Sequence, residues 1–413
     1  MRKIHWAWFV LTACFVTVFT NYSIRLSYNI LMPEMILSLK ITKAQAGGIA
    51  SFFYFAYTLF SPLVGFLIDR YSARKIIVVF CLIMAGGTFM MGRPTSFFQA
   101  CLFFMVVGIG SSAMWTPIVA LVHRWFALRR RGMALGILSI SYAIGYGLMG
   151  LILPPLVARF DWRGCWLFLA ALGFLLVPLN GILLRSNPEQ LNLKPWGGRP
   201  GEGAKPVSPA GGGKMGYGRL LRMPNLWWVG FSYFFIGITA YIVNIFIVTY
   251  GNMELRFPFA QAAKLASAIA FSGILGALLL PLLSDFIGRK KCLMLINLSL
   301  SASIGLIILA GSQWGSLLIM VSIFGIFYAA VWPLYGAVAG DFFPSGTTGS
   351  VLGFWTIFYG LGLVLAPMLG GYIADRTGTF RWSFLVALGT GILSTLFFSR
   401  IHPVENSGEQ QSS

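Results

Sequence analysis

Long apolar runs alternate with short polar segments along nearly the whole chain. A helix that crosses a membrane needs about 20 predominantly apolar residues, and twelve runs meet this length. They lie at about 7–36, 45–68, 76–93, 96–122, 133–158, 163–185, 225–250, 261–284, 291–311, 314–339, 348–373 and 381–400. The pattern predicts an all-α membrane protein with twelve transmembrane helices, embedded in a lipid bilayer.

The longest polar interruption, at about 186–224, lies near the middle of the chain and is rich in Gly, Pro and Lys. A tract of this composition cannot bury an apolar core and is typical of a flexible linker. It predicts three parts: an N-terminal six-helix half at 1–188, a cytoplasmic linker at 189–223 and a C-terminal six-helix half at 224–413.

The two predicted halves are similar in sequence. Shifts of 216 to 217 positions superimpose identical residues of rare types. They align Trp115 with Trp332, Tyr142 with Tyr359 and Asp69 with Asp285. Two parallel six-helix repeats with a site between them are the architecture of a carrier that rocks one half against the other.

The composition excludes a soluble globular protein, because 57% of the residues are hydrophobic and only 10% are charged. The net charge of +19 would suggest a nucleic acid partner in a soluble chain, but here the basic residues lie in loops between apolar runs. Twenty of the 30 Lys and Arg residues fall on the side of the N-terminus and nine on the other. This bias predicts a multi-pass protein of the cytoplasmic (inner) membrane with both termini in the cytoplasm, and no nucleic acid partner.

Signatures of catalysis, cofactors and metals are missing from the sequence. The three histidines fall at predicted helix ends or in tails, and the five cysteines are single, without Cys-x-x-Cys spacing. No phosphate-binding loop or nucleophilic triad rises above chance. We therefore expect no enzyme activity, no metal site and no cofactor.

The first apolar run contains an arginine, Arg25, near its middle. An arginine at the centre of a bilayer costs roughly 2.5 to 3.5 kcal/mol on insertion scales, and such residues usually mark substrate paths. Asn21, Tyr22, Tyr28 and Asn29 flank it at helical spacing. The cluster predicts a water-accessible pocket with one fixed positive charge, suited to an anion. The alternative is a structural arginine bonded to backbone carbonyls of a neighbouring broken helix.

A charged loop follows the second run at 65–75 and is repeated after the eighth run at 281–290. The charged residues that matter are Asp69, Arg70 and Arg74 in the first copy, and Asp285 and Arg289 in the second. Together with twelve spans, this pattern resembles the major facilitator superfamily, whose signature loop is close to Gly-x3-Asp-Arg/Lys-x-Gly-x-Arg-Arg/Lys. The resemblance covers nearly the whole chain, although Ser72, Pro281 and Phe286 depart from the signature.

The resemblance implies that the two aspartates are latches between the halves. Each would face the amino end of a helix in the opposite half, where the helix dipole favours a carboxylate by roughly 0.3 to 2 kcal/mol. Asp69 would face the start of the eleventh helix and pair with Arg124. Asp285 would face the start of the fifth helix, near residues 129–131.

The helices that line the path in this superfamily supply further pocket residues. Tyrosine and tryptophan suit a carboxylate on a hydrocarbon stem, because they combine apolar area with a hydrogen-bond donor. With Arg25, Tyr22, Tyr28 and Asn29, the candidate substrate-binding residues are Trp115, Tyr142, Tyr241, Asn244, Trp332, Tyr335 and Tyr359.

The substrate class is narrowed by comparison within the superfamily. Three segments resemble bacterial monocarboxylate and oxalate–formate carriers: residues 25–28, the Arg-rich loop before 132–136 and the linker sequence at 187–195. The basic residues that those carriers have at mid-membrane in helices 8 and 11 are missing here. An arginine in helix 1 is more similar to organic-anion and sugar-acid symporters, whose carboxylates in helices 1 and 4 are missing. We expect a secondary carrier, symporter or antiporter, for a small organic anion, with a monocarboxylate favoured.

Three alternatives remain: a sugar-acid or other organic anion symporter, a drug efflux pump and a non-transporting sensor. Drug pumps generally use a mid-membrane acid, and none is found. A lone arginine stays protonated and neutralises one carboxylate. We therefore expect a carrier that prefers monovalent anions, in which protons either enter with the substrate or are not coupled to its transport. We also expect the carrier to be a monomer.

Overall fold

The computed structural model describes residues 5–198, 220–343 and 347–401, apart from the side chain of Asp69. These residues are almost entirely helical. The helices are α1 (Trp6–Leu39), α2 (Lys43–Arg70), α3 (Ala73–Met91), α4 (Phe97–Ser111), α5 (Thr116–Trp125), α6 (Leu128–Leu183), α7 (Pro224–Thr249), α8 (Phe259–Ile287), α9 (Arg289–Ala310), α10 (Trp314–Asp341), α11 (Thr348–Thr377) and α12 (Phe380–Ser399). A π-helical turn, Tyr250–Glu254, extends α7.

Eleven segments of the described chain are long and apolar enough to cross a membrane. One of them is α6, whose 56 residues would span about 84 Å if straight, far more than one crossing needs. It turns at Asp161, whose backbone has φ 61° and whose carboxylate accepts a hydrogen bond from the N–H of Trp162 at 2.7 Å. The turn divides α6 into two crossings. The predicted all-α membrane fold is confirmed, and twelve crossings fit it.

The fourth crossing differs from the continuous helix expected over 96–122. It consists of α4 and α5 with a break at 112–115, where Trp115 adopts φ −121° and ψ −61°. Pro117 follows at the start of α5 and has no backbone N–H to continue the ladder of hydrogen bonds from α4. Proline near the first turn is favourable for a new helix, so the chain restarts there.

Most helix contacts lie within 6–183 or within 224–399. In the first group, α6 packs on α1 and α3, and α4 packs on α2 and α3. In the second group, α7 packs on α11 and α12, and α10 packs on α8 and α9. The most extensive contacts between the groups are made by three pairs of helices: α2 with α11, α6 with α8, and α1 with α7.

The two groups touch at one end of the bundle, which we call the closed end. There the glycines allow backbone contact: a Cβ atom at Gly47 would lie 2.0 Å from the carbonyl oxygen of Pro367, and one at Gly371 would lie 2.3 Å from that of Lys43. The hydroxyl of Ser51 donates to the carbonyl of Val364 at 2.6 Å.

The same helices separate toward the other end, which we call the open end. Beyond the neighbouring backbone of its own helix, a Cβ atom at Gly65 on α2, Gly136 on α6 or Gly353 on α11 would meet no described atom within 4 Å. The bundle is therefore a wedge that opens at the end where α2 terminates and α11 begins.

The start of the predicted linker is anchored rather than free. Trp196 exchanges backbone hydrogen bonds with Trp125 and Ala127, and its ring packs on Trp8. Partial burial of this aromatic ring and the two backbone hydrogen bonds give a short polar tract a fixed position. Residues 199–219 of the predicted linker lie outside the described residues.

Candidate functional site

Arg25 lies on α1 at the apex of the wedge and is 6% exposed. Its Nη2 donates a hydrogen bond to the hydroxyl of Tyr241 on α7 at 3.1 Å. Four aromatic rings surround the guanidinium carbon at 4.9 to 5.7 Å from their centroids. These rings belong to Tyr22, Phe53, Tyr54 and Tyr57. Cation–π attraction therefore offsets part of the cost of burying this charge.

No carboxylate neutralises the Arg25 guanidinium within the described residues. The ion pairs there join Arg163 to Asp161, and Arg289 to Asp285 and Asp341, all at helix ends. The Nε–H of Arg25 also has no acceptor among the described atoms. A guanidinium stays charged, so the apex holds one positive charge with unused hydrogen-bonding capacity.

A second contact joins α1 to α7 one helical turn from Arg25, toward the closed end. The side-chain amide of Asn29 donates to the Oδ1 of Asn244 at 3.0 Å and to its carbonyl oxygen at 3.3 Å. Arg25 and Tyr241 are 216 positions apart, and Asn29 and Asn244 are 215 apart. These separations nearly equal the offset of the internal repeat. Equivalent positions of the two repeats thus face each other here, as expected for a site on the axis between them.

Further tyrosines continue from Arg25 toward the open end. Tyr22 meets Tyr142 at 4.7 Å between ring centroids, and Tyr241 contacts Tyr54 at 5.2 Å and Tyr328 at 6.3 Å. The sequence interpretation missed Tyr328 and Tyr57 as pocket residues. The signal for Tyr57 was its helical spacing from Phe53 and Tyr54, which places these side chains on one face of α2.

The predicted aromatic residues of the C-terminal helices form a neighbouring stack around Tyr233. Tyr335 and Tyr359 stack on Tyr233 at 4.3 and 4.4 Å, and Trp332 meets Tyr359 at 5.3 Å. Tyr359 also lies 6.1 Å from Tyr241, which links the stack to the Arg25 site.

Two predicted pocket residues lie apart from Arg25. The hydroxyl of Tyr28 donates to the carbonyl oxygen of Ala46 at 2.6 Å, and its ring stacks on Phe104. Tyr28 thus packs α1 against α2 and α4. It lies three positions after Arg25, but α1 is surrounded by several helices, so the two side chains contact different neighbours. Trp115 lies at the break before α5 and is 37% exposed.

The predicted gating residues lie at the open end. Asp285 pairs with Arg289 on the next helix at 2.5 Å, and Arg289 also bonds Asp341 at 3.1 Å. In this conformation Asp285 therefore satisfies its charge locally rather than at residues 129–131 of α6. The side chain of Asp69 lies outside the described residues, and so does its expected contact with Arg124.

The basic residues of the open end bond within their own group of helices. Arg74 donates to the carbonyl oxygen of Gly181, and Arg124 donates to Asn187 at 3.4 Å. Arg70 lies 4.2 Å from the ring centroid of Phe66. None of these three contacts crosses the wedge.

Asp375 crosses the interface at the closed end, and the sequence interpretation missed it. Its carboxylate accepts hydrogen bonds from the backbone N–H groups of Lys43 at 3.0 Å and Ala44 at 2.8 Å. Thr42 and Gln45 cap each other at the same helix start, at 2.9 and 3.1 Å. All four N–H groups at the start of α2 are therefore bonded, two of them by the C-terminal group.

Twelve membrane crossings that form a wedge around a buried charge define a membrane transporter, not an enzyme. The chain belongs to the Major Facilitator Superfamily, whose profile matches residues 13–285 and 257–413. The family resemblance inferred from the signature loops is confirmed.

Curated relatives cover almost the whole chain. The "Probable sulfoacetate transporter SauU" of Cupriavidus necator is 24% identical, over 95% of this chain and 94% of the relative. The "Hexuronate transporter" of Bacillus subtilis is 23% identical, over 96% and 94%. The "Monocarboxylate transporter 13" of Rattus norvegicus is 24% identical, over 96% and 90%.

Solved structures confirm the fold. A bacterial homolog of the human lysosomal transporter Spinster, in an inward-facing and unoccupied conformation, matches with a TM-score of 0.77 and 17% identity, over 96% of this chain and 97% of that one. The nucleoside transporter NupG matches with a TM-score of 0.73 and 16% identity, over 95% and 98%.

Proposed function

We propose that this protein is a secondary carrier that moves a small organic anion through the membrane by alternating access. The main observation behind this proposal is Arg25, a buried guanidinium at the apex of the wedge with no carboxylate partner among the described residues. A permanent, uncompensated charge is costly at this depth, and an anion that arrives through the open end neutralises it. The curated relatives given above are all named for anionic substrates, which supports the proposal.

The substrate carries one carboxylate at the arginine, because the site offers one positive charge. A monocarboxylate with an apolar stem suits the rings of Tyr22, Tyr54 and Tyr57. A sugar acid with one carboxylate is the second candidate, supported by the amides of Asn29 and Asn244 beside the charge and by the relative named for hexuronate. Protons enter with the substrate or are not coupled, since Arg25 itself does not titrate.

Transport requires that the two groups of helices close together at the open end and separate at the closed end. In this proposal the groups are the predicted six-helix halves, 1–188 and 224–413, and the open end faces the cytoplasm of the inner membrane. The helix pairs α2 with α11 and α6 with α8 would then separate at the closed end and meet at the open end, bringing Asp69 and Asp285 to their latching positions.

A titration of the purified protein tests the substrate class. Ligand binding raises apparent stability by mass action, so acetate, propionate, glucuronate and succinate are added separately while thermal unfolding is followed. We expect monovalent anions to raise the melting temperature and the divalent succinate to raise it less at equal concentration. A response to amphipathic cations alone would instead support drug efflux.

Topology gives a further prediction. A single cysteine replacing exposed Leu128, in a background without native cysteines, is expected to react with an impermeant maleimide only from the cytoplasmic side. A cysteine replacing Arg159 is expected to react only from outside. Labelling of both positions from one side would contradict the proposed orientation of α6 and its turn at Asp161.

The latch gives another prediction. Asp69→Asn is expected to slow transport at least about tenfold while substrate affinity changes only a few-fold, because it alters the balance of states and not the pocket. Uptake into proteoliposomes and equilibrium binding are measured on the same preparation. Equal losses of binding and transport would assign Asp69 to a different role.

A further inference from the structure

Two contacts between α1 and α7 form the floor of the site. Arg25 bonds Tyr241, and Asn29 bonds Asn244 one turn nearer the closed end. One helical turn rises about 5.4 Å. The two asparagine amides therefore lie about one helical turn from Arg25, a distance comparable to the length of a small organic anion.

Both contacts leave a buried donor unused. The Nε–H of Arg25 and the Nδ2 of Asn244 have no acceptor among the described atoms. Both side chains are buried, since Arg25 is 6% exposed and Asn244 is 0% exposed. The Oδ1 of Asn244 already accepts from Asn29, which turns its Nδ2 away from that partner. Buried polar groups are nearly always hydrogen-bonded in folded proteins, and the two unused donors on facing helices beside the buried charge match a ligand with two acceptor oxygens.

The chemistry of the donors defines this ligand. A guanidinium edge binds a carboxylate, whereas a neutral amide N–H suits a hydroxyl or carbonyl oxygen. An apolar acid would fill the first position and leave the Asn244 donor unpaired. An acid with an oxygen on carbon 2 carries both kinds of acceptor on adjacent carbons, one for each unused donor.

We propose that Asn244, held by Asn29, is the specificity-determining residue of the site and selects anions that carry a hydroxyl or oxo group on the carbon next to the carboxylate. The inference rests on the proposed function, since it assumes that Arg25 receives the carboxylate. Asn29 positions the Asn244 amide by occupying its Oδ1, and it also spans the two groups of helices. Sites built to bond a substrate hydroxyl reject analogues without it far more strongly than apolar pockets discriminate by size.

Equilibrium binding of matched acids to the purified protein tests the inference. The pairs are lactate with propionate, and gluconate with 2-deoxygluconate, which differ only at carbon 2. We expect the wild type to bind the hydroxylated member of a pair at least about tenfold more tightly. Asn244→Leu is expected to reduce this ratio to below about twofold by weakening the hydroxylated acid and leaving the other unchanged.

Control variants separate this role from folding and from charge recognition. Asn244→Leu keeps the hydrogen bond from Asn29 to the carbonyl oxygen of residue 244. If Asn244→Leu misfolds, Asn29→Leu is tested in its place. Asn180→Leu removes another fully buried asparagine, bonded to Thr17 far from the site, and is expected to keep the wild-type ratio. Equal affinities within both pairs for the wild type, or an unchanged ratio in Asn244→Leu, would overturn the inference and leave the proposed function standing. Undiminished anion binding by Arg25→Met would overturn the proposed function instead.

Discussion

Replacing Arg25 by methionine is expected to abolish anion binding while leaving the ligand-free protein at least as stable as the wild type. The guanidinium supplies two charge-assisted hydrogen bonds to a carboxylate, each worth roughly 1.5 to 3 kcal/mol. Their loss should weaken binding more than about 100-fold. In the ligand-free protein this charge is buried with no carboxylate partner among the described residues. That burial is a cost that methionine removes while keeping most of the packing.

Thermal unfolding with and without anion, together with uptake into proteoliposomes, measures both effects. Arg25→Lys is expected to lose most transport as well, because an ammonium cannot replace the planar fork of a guanidinium. Arg159→Met removes an exposed arginine at the closed end and is the matched control. A large fall in ligand-free stability of Arg25→Met, with normal anion binding, would show that the arginine is structural.

The sequence predicted the position of Arg25 well because a charge inside an apolar run is unambiguous. It predicted the surroundings less well. Most of the central part of α1 is buried against several helices at once, so no polar face shows which neighbour each side chain meets. For that reason helical spacing placed Tyr28 beside Arg25, whereas Tyr28 bonds Ala46 and the rings over the guanidinium come largely from α2.

The fold was predictable where length and hydropathy decide it, and less so where the backbone bends within the membrane. Residues 96–122 contain no charged residue, so the segment was assigned as one helix, although Ser111, Ser112 and Pro117 lie at or beside the break at 112–115. The turn in α6 was predicted, because it lies in the short gap that hydropathy leaves between the runs at 133–158 and 163–185, where Arg159, Asp161 and Arg163 interrupt the apolar sequence.

The closed end shows a second limit of the sequence. Asp69 and Asp285 stand out because they recur in similar loops, whereas Asp375 has no acidic or basic partner in a recognisable motif. Its partners are the backbone N–H groups of Lys43 and Ala44, which any residue carries. Only the packing of α2 against α11 reveals that this carboxylate caps a helix in the other group.

Under the proposed alternating-access mechanism, this cap would make Asp375 a state-dependent latch. A carboxylate at a helix N-terminus is favoured by the helix dipole and by charge-assisted hydrogen bonds. The bonds to Lys43 and Ala44 exist only while the two groups touch, so they stabilise the closed end and not the alternative conformation. Because Asp375 is exposed and water competes for both partners, we expect a shift of about tenfold in the ratio of states, equal to about 1.4 kcal/mol.

Asp375→Ala is therefore expected to open the closed end. Spin labels on exposed Phe98 and Leu309 report the distance across that end, and labels on exposed Leu128 and Phe286 report the open end. In the variant the first distance should lengthen and the second should shorten, with anion affinity at Arg25 retained. Glu34→Gln is the matched control, because it removes an acid on α1 near the same end that makes no hydrogen bond within the described residues. Unchanged distances in Asp375→Ala would show that the backbone packing of Gly47 on Pro367 and of Gly371 on Lys43 holds the end closed by itself.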